Sequence, residues 1–243
     1  YYDGVLVAGA PAVFDVCDEY AFPASTRSKT EHVGYLHRKA GRQAPGSLRE
    51  GLKIGGLPLV LVQAGGGGDG APMLQMFVQG LIDRQGSAPF YSWIVSGPEM
   101  PIAERERLRT QTAGLPNLRF DEFTDDMASC IEAADVVVSM GGYNTVCEVL
   151  SAGKPGLIVP RSKPVLEQTL RAERMARQGW LRCIRLEDAT PEALIAAATE
   201  LTVNGATQTP TRRQVPFAGL DRIAEIVAGA PLAPQLIKQG AHA

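Results

Sequence analysis

From Leu57 onward the chain alternates between short apolar runs and longer amphipathic stretches. Leu57-Pro58-Leu59-Val60-Leu61-Val62-Gln63 is apolar at nearly every position and runs into Gly65 to Gly68. Such a run, bounded by glycine, predicts a strand buried on both faces. Residues 72–85 then carry Met73, Met76, Phe77, Gly80 and Leu81 at helical spacing. Pro72 suits a first helical turn, where its missing N–H costs nothing. The cycle repeats, with strands predicted over residues 90–95, 118–120, 135–139, 156–159 and 181–186. Helices are predicted between and after them, over residues 101–113, 125–134, 145–152, 165–178 and 191–201. Strands separated by helices imply a parallel sheet with right-handed crossovers. Six such units predict an α/β domain with a doubly wound, Rossmann-like parallel sheet.

The two ends do not fit that series. Val5-Leu6-Val7-Ala8-Gly9 predicts another strand, and residues 12–20 its helix. A polar stretch over 24–30 follows, then one rich in Gly and basic residues around 37–55. After Thr202 the sequence turns polar and reads as loop through Arg213. Residues 217–228 predict a last helix, Pro231 and Pro234 break it, and the tail reads as loose. The expected organisation is therefore a remnant of a preceding domain over 1–36, a linker over 37–55, the main domain over 56–203, and loop, helix and tail over 204–243. The start at Tyr1-Tyr2-Asp3, without an initiator Met, carries the expectation that residues precede it.

Composition narrows the function classes. The chain has 243 residues, 45% hydrophobic and 21% charged, as expected of a soluble chain that buries a core. A formal net charge of -2 leaves no basic footprint for nucleic acid. Cys17, Cys130, Cys147 and Cys183 are far apart, with no C-x-x-C pair. That spacing argues against a zinc site and for buried free thiols in a reducing compartment. No apolar run reaches the roughly 18 residues of a membrane span, and no signal peptide is seen. The expected location is cytoplasmic, with peripheral contact to the inner membrane face through the preceding domain.

In a doubly wound sheet, ligands sit outside the carboxyl ends of the strands. Two glycine turns fall there: Gly65-Gly66-Gly67-Gly68-Asp69-Gly70 and Gly141-Gly142-Tyr143-Asn144-Thr145. Glycine lets backbone N–H groups approach an anion, and the following helix adds a positive dipole end. Two such turns on one edge can hold a diphosphate. The first is neither a P-loop, since no Gly-Lys-Ser/Thr follows, nor a dinucleotide fingerprint. A plain strand-to-helix turn would also carry glycine. Asp69 would repel phosphate and is expected to bond local backbone N–H groups. In the second turn, Asn144 and Thr145 can cap the helix or bind phosphate. Glu148 lies one turn further, on about the face of Thr145, and can accept bonds from both ribose hydroxyls. It could equally serve only to favour the positive helix end.

The run from Gly141 through Glu148, Gly153-Lys154-Pro155 and Pro160 resembles the donor-site signature of GT-B glycosyltransferases. It is most similar to bacterial family-28-like enzymes that add N-acetylglucosamine to the lipid-linked peptidoglycan precursor. Glu122-Phe123-Thr124-Asp125-Asp126-Met127 resembles another stretch of that family, and Glu167-Gln168 stands where it carries two glutamines. The resemblance covers about residues 57–200. It implies that backbone at Phe123 and Thr124 reads the base, with UDP the expected nucleotide. It also implies that Gly65, Gly66, Gly67, Gly142, Tyr143, Asn144 and Thr145 surround the diphosphate and that Glu148 binds ribose. Glu167, Gln168 and Arg171 would face the donor sugar. Three departures stand out: Glu167 for glutamine, Arg171 for asparagine, and four glycines where the family has Gly-Ser-Gln-Gly. An uncharacterised group of bacterial glycosyltransferases of this architecture is closer still.

The implied activity is transfer of a hexose or N-acetylhexosamine from a nucleoside-diphosphate sugar to an acceptor hydroxyl, without metal or cofactor. The acceptor, lipid-linked or a small glycan, belongs to the preceding domain, as does the general base. Of the histidines, His32 and His37 read as linker and His242 as tail. Arg161 or Arg171 can add a cation, or lie solvated. The chain alone is expected to bind donor and turn over little. Two other readings stay open: a nucleotide-sugar epimerase, with Glu167 the obvious acid/base candidate, and a non-catalytic nucleotide-sugar-binding module.

Overall fold

The computed structural model describes residues 2–161, 166–208 and 215–229. The predicted start of one helix at Val165, the loop up to Arg213, Pro231, Pro234 and His242 lie outside the described residues or at their edge.

In chain order the elements are β1 (Val5–Ala8), α1 (Val16–Glu19), α2 (Ala24–Arg27), β2 (Thr30–Gly34), α3 (Pro45–Leu52), β3 (Leu59–Gln63), α4 (Ala71–Asp83), β4 (Tyr91–Val95), α5 (Ile102–Thr112), β5 (Leu118–Asp121), α6 (Met127–Ala133), β6 (Val136–Ser139), α7 (Tyr143–Ser151), β7 (Gly156–Ile158), α8 (Glu167–Arg177), β8 (Arg182–Cys183), α9 (Pro191–Gln208) and α10 (Gly219–Gly229). β3 to β8 form one parallel sheet in the order β5-β4-β3-β6-β7-β8. The series runs outward from β3 to one edge, then from β6 to the other. The strand order therefore reverses between β3 and β6, which is where ligands bind in this class of sheet.

The apolar runs explain the layers. All residues of β3 are buried. Val60 and Val62 point into one layer with Phe77, Val78, Leu194 and Ile195 of α4 and α9. Leu59 and Leu61 point into the other with Leu52, Trp93, Ile131 and Val137. This alternation across a doubly covered sheet is what a continuous hydrophobic run encodes. A third cluster joins the first unit to α7 and α8 through Val13, Tyr35, Val146, Ile158, Met175 and Trp180.

Four local expectations are corrected. The helix predicted over 12–20 shortens to Val16–Glu19, capped by Asp15, whose side chain accepts from Cys17 N. The polar stretch over 24–30, for which the sequence predicts no element, holds α2 and leads into β2, which pairs in parallel with β1 from Val5↔Thr30. β2 has one fully buried residue, Val33, so its apolar signal was weak. The basic, Gly-rich stretch holds α3, whose Leu52 fills the second core layer. α9 does not stop near Thr202 but runs to Gln208. Thr202-Val203-Asn204-Gly205 has low helix propensity, yet packing against the sheet overrides it. At Gly205 the backbone comes so close to Pro155 that an added Cβ would lie 2.5 Å from its Cγ.

α10 lies back against β2. Gly219 N donates to Tyr35 O (3.1 Å), Tyr35 N donates to Pro216 O (2.8 Å), and Arg222 pairs with Glu31 (2.7 Å).

Candidate functional site

The switch point places both glycine turns at one pocket. β3 ends at Gln63 and β6 at Ser139, which are register partners. The pocket, about 460 Å³, is lined by Gly65 to Gly68, Asp69, Glu99, Ser139, Met140, Gly142, Thr145, Arg161 and Gln168. Gln63, buried behind it, ties the turns together. Its Nε2 donates to Thr145 Oγ1 (3.3 Å), and its Oε1 accepts from Gly65 N (3.1 Å).

The pocket offers unspent donors. Gly142 is the N-cap of α7 and brings no side-chain cap. The first-turn N–H groups of Tyr143, Asn144 and Thr145 therefore have no intrahelical partner. Asn144 and Thr145 lie inside the helix, so the expectation that either caps it is corrected. Ser139 Oγ is buried and unpartnered at the pocket wall. The amide of Gln168, oriented to satisfy both its ends, donates to Met140 O (3.1 Å) and accepts from Arg161 Nε (3.2 Å).

Charge in the pocket is mixed. The expectation that Asp69 bonds the N–H groups of its own turn is corrected: it pairs with Arg161. Residues far apart in sequence made that partner invisible. Glu99 stands beside Gly66, a contact for which the sequence carried no signal.

Other expected site residues lie elsewhere. Glu148 lines a second cavity of about 320 Å³ with His37, Arg38, Lys39, Glu132, Ser151 and Lys154. Burial raises the pKa of Glu148, partly opposed by Arg38, and burial lowers that of Lys154. The segment read as linker crosses this region. Arg38 N donates to Ser151 Oγ (3.1 Å), and Arg38 Nη2 donates to Asn144 Oδ1. Gly41 N donates to Glu132 (3.1 Å), Arg42 N to Asp126 (3.2 Å) and Gln43 N to Ser129 Oγ (2.8 Å). Arg38 is a site neighbour that no motif revealed. Thr124 Oγ1 accepts from Asp126 N (3.2 Å), and Phe123 is 61% exposed. Neither lines the glycine pocket.

Tyr143, Glu167 and Arg171 line a third cavity, of about 200 Å³, facing the first unit. Arg161 and Arg171 are thus both ion-paired, to Asp69 and to Glu167 (3.2 Å). Of the expected residues, the structure brings together Gly65, Gly66, Gly67, Gly142, Thr145 and Gln168. It places Glu148 in the second cavity and Tyr143, Glu167 and Arg171 in the third. His32 sits in β2 with a buried, unpartnered Nε2, 4.0 Å from Asp15. Among the described residues no three His, Cys, Asp or Glu converge as metal ligands, and no helix is long and apolar enough to cross a membrane.

Residues 60–226 match the sequence profile of the glycosyltransferase family 28 C-terminal domain. One curated relative is the UDP-N-acetylglucosamine–N-acetylmuramyl-(pentapeptide) pyrophosphoryl-undecaprenol N-acetylglucosamine transferase of Glaesserella parasuis. It is 41% identical over 80 residues, 33% of this chain and 23% of that protein. The enzyme of the same name from Actinobacillus pleuropneumoniae is 34% identical over 117 residues, 44% of this chain and 31% of that protein. The chain thus spans about a quarter to a third of the length of these relatives. Among solved structures, Acinetobacter baumannii MurG aligns with a TM-score of 0.61 at 22% identity, covering 93% of this chain and 67% of that one. A calicheamicin glycosyltransferase aligns with a TM-score of 0.61 at 19% identity, covering 95% and 54%. At these identities the structures speak for the fold.

Proposed function

The chain belongs to the glycosyltransferase family 28 C-terminal domain family, and from that premise we propose that it supplies the donor-binding half of a metal-independent glycosyltransferase. The observation that carries this is the single pocket shared by both glycine turns at the switch point, with Ser139 Oγ, Thr145 and the α7 N–H groups around it. A nucleoside diphosphate fits that chemistry: fixed N–H dipoles face the pyrophosphate and a helix end neutralises it.

In this reading Thr145 and the N–H groups of Gly142 to Asn144 hold the diphosphate, and Gln168 meets the donor sugar. The base lies along Phe123 and Thr124, and the ribose reaches Glu148 beside Arg38. UDP is the nucleotide, as in the relatives' names. As the sugar–phosphate bond breaks, negative charge grows on the leaving diphosphate. Preorganised donors stabilise that charge most in the transition state. Arg161, once released from Asp69, adds a cation. The acceptor's general base comes from a preceding domain, and the protein works in the cytoplasm at the inner membrane face.

Thermal shift against UDP, dTDP, ADP and UDP-sugars tests this, since a ligand of the native state raises Tm. UDP is expected to raise it, and Thr145→Val to reduce that rise. A flat response to every nucleotide overturns the reading. Conversion of a UDP-sugar to its epimer without acceptor would establish the epimerase instead.

A further inference from the structure

The third cavity differs in chemistry from the glycine pocket. It opens where the carboxyl end of β1 meets the N-terminal part of α8. Phe14 and Tyr20 form one wall, edge to face at 6.0 Å. Tyr35 and Tyr143 form the floor, stacked at 6.2 Å with their planes 20° apart. Both floor phenols are pushed up by burial, Tyr35 to about 12, so both stay neutral. The remaining lining is mostly small and apolar, including Val7, Ala8, Ala10 and Val16.

Charge is confined to one edge. Tyr20 Oη donates to Glu167 Oε2 (3.2 Å), and Arg171 pairs with Glu167 Oε1 (3.2 Å). Glu167 is followed in the chain by Gln168, which lines the glycine pocket. The two cavities therefore meet at the first turn of α8.

We propose that this cavity binds the acceptor of the transfer reaction, and that the acceptor is a flat, apolar ring compound carrying a phenol-type hydroxyl. This rests on the donor reading above. The ring lies between the Phe14–Tyr20 wall and the Tyr35–Tyr143 floor. Its hydroxyl takes the position on Glu167 that Tyr20 Oη holds in this structure, and so faces the donor side of α8.

Other occupants fit less well. A hexose carries hydroxyls around its whole rim, and here most would be buried without partners, each costing about 1–3 kcal/mol. A quaternary ammonium would suit an aromatic box. The cationic place is already taken, because the Arg171 guanidinium lies 5.7 Å from the Tyr143 ring centre. An alkyl chain leaves the Glu167–Arg171 edge unused. Size agrees: an apolar cavity of about 150 Å³ accepts benzene, and this one is about 200 Å³.

The test is titration of the 243-residue chain with 4-methylumbelliferone and 2-naphthol, followed by ligand fluorescence, with and without UDP. Methyl glucoside and decanol are the comparison ligands, read by calorimetry. The aryl alcohols are expected to bind at least tenfold tighter than either, and to bind equally well with UDP present. Phe14→Ala and Glu167→Gln should each weaken them several-fold, while Tyr20→Phe, which keeps the ring and frees Glu167, should not. Glu167→Gln lies at the cavity edge and reports even if Phe14→Ala misfolds. Preference for the glucoside or for decanol overturns the proposal, as does displacement of the aryl alcohol by UDP. UDP binding without aryl binding overturns it too and leaves the donor reading standing. Aryl binding without any nucleotide response does the reverse: it supports the cavity's ring chemistry and defeats the donor reading.

Discussion

Gln63 donates to Thr145 Oγ1 at 3.3 Å while accepting from Gly65 N at 3.1 Å, so one buried amide sets the distance between the two glycine turns. Leucine keeps the volume and removes both bonds. Gly65 N–H and the Thr145 hydroxyl then lose a partner in a poorly solvated place, at about 1–3 kcal/mol. Gln63→Leu is expected to lower Tm and to weaken UDP roughly tenfold by calorimetry, about 1.4 kcal/mol. Unchanged UDP affinity in a folded variant would show that the turns' spacing does not matter for binding.

Gly67 tests the first turn separately. It has φ +95, and an added Cβ would lie 2.4 Å from the Ser96 carbonyl oxygen. The left-handed region alone costs about 1–2 kcal/mol for an L residue. Gly67→Ala is expected to lower the urea midpoint clearly. Gly68→Ala is its control, because there the nearest atom, Glu99 Oε2, is 3.8 Å away. Equal midpoints for the two variants would mean that the turn does not need its glycine at 67.

Asp69 and Arg161 predict a gain of function. The arginine is tied to Asp69, and a diphosphate in the pocket would meet that carboxylate. Asp69→Asn removes the repulsion and frees the cation. Both groups are partly exposed, so the effect is that of a surface pair, roughly threefold tighter UDP binding at low salt. The gain should shrink as added salt screens it. Arg161→Ala should weaken UDP instead. Weaker binding by Asp69→Asn would mean that the carboxylate orders the turn rather than opposing the ligand.

The sheet was legible because its strands are buried on both faces and bounded by glycine, a pattern that needs no knowledge of partners. The parallel, doubly wound sheet of six strands followed from alternation with helices, though their spatial order did not, and the glycine pocket followed from the position of two turns after β3 and β6. What stayed hidden depended on long-range contact. β2 is a strand because β1 lies beside it, not because Thr30-Glu31-His32-Val33-Gly34 alternates strongly. α9 continues past Thr202 because its far end packs near Pro155. Arg38 stands beside Asn144 and Glu148 only after a segment with no motif folds back over α6 and α7. The Asp69–Arg161 and Tyr20–Glu167 contacts likewise join residues that local spacing cannot relate.

Glu148 links that hidden neighbour to a pH dependence. Its carboxyl is held above the ordinary value of 4.5, first by burial, with Arg38 pulling the other way. A group whose folded pKa exceeds its unfolded one binds its proton more tightly in the folded state. Stability from that group is therefore full below the unfolded pKa and is lost as pH rises through the folded one. Glu148→Gln removes the titration but keeps the shape. The variant is expected to match the parent below the unfolded value and to become the more stable of the two as pH rises from there through the raised pKa, with the gap then constant to about pH 7. Tm measured across that range checks the sign. A parent that outlasts Glu148→Gln at neutral pH would mean that the attraction of the Arg38 charge outweighs the burial of the carboxylate.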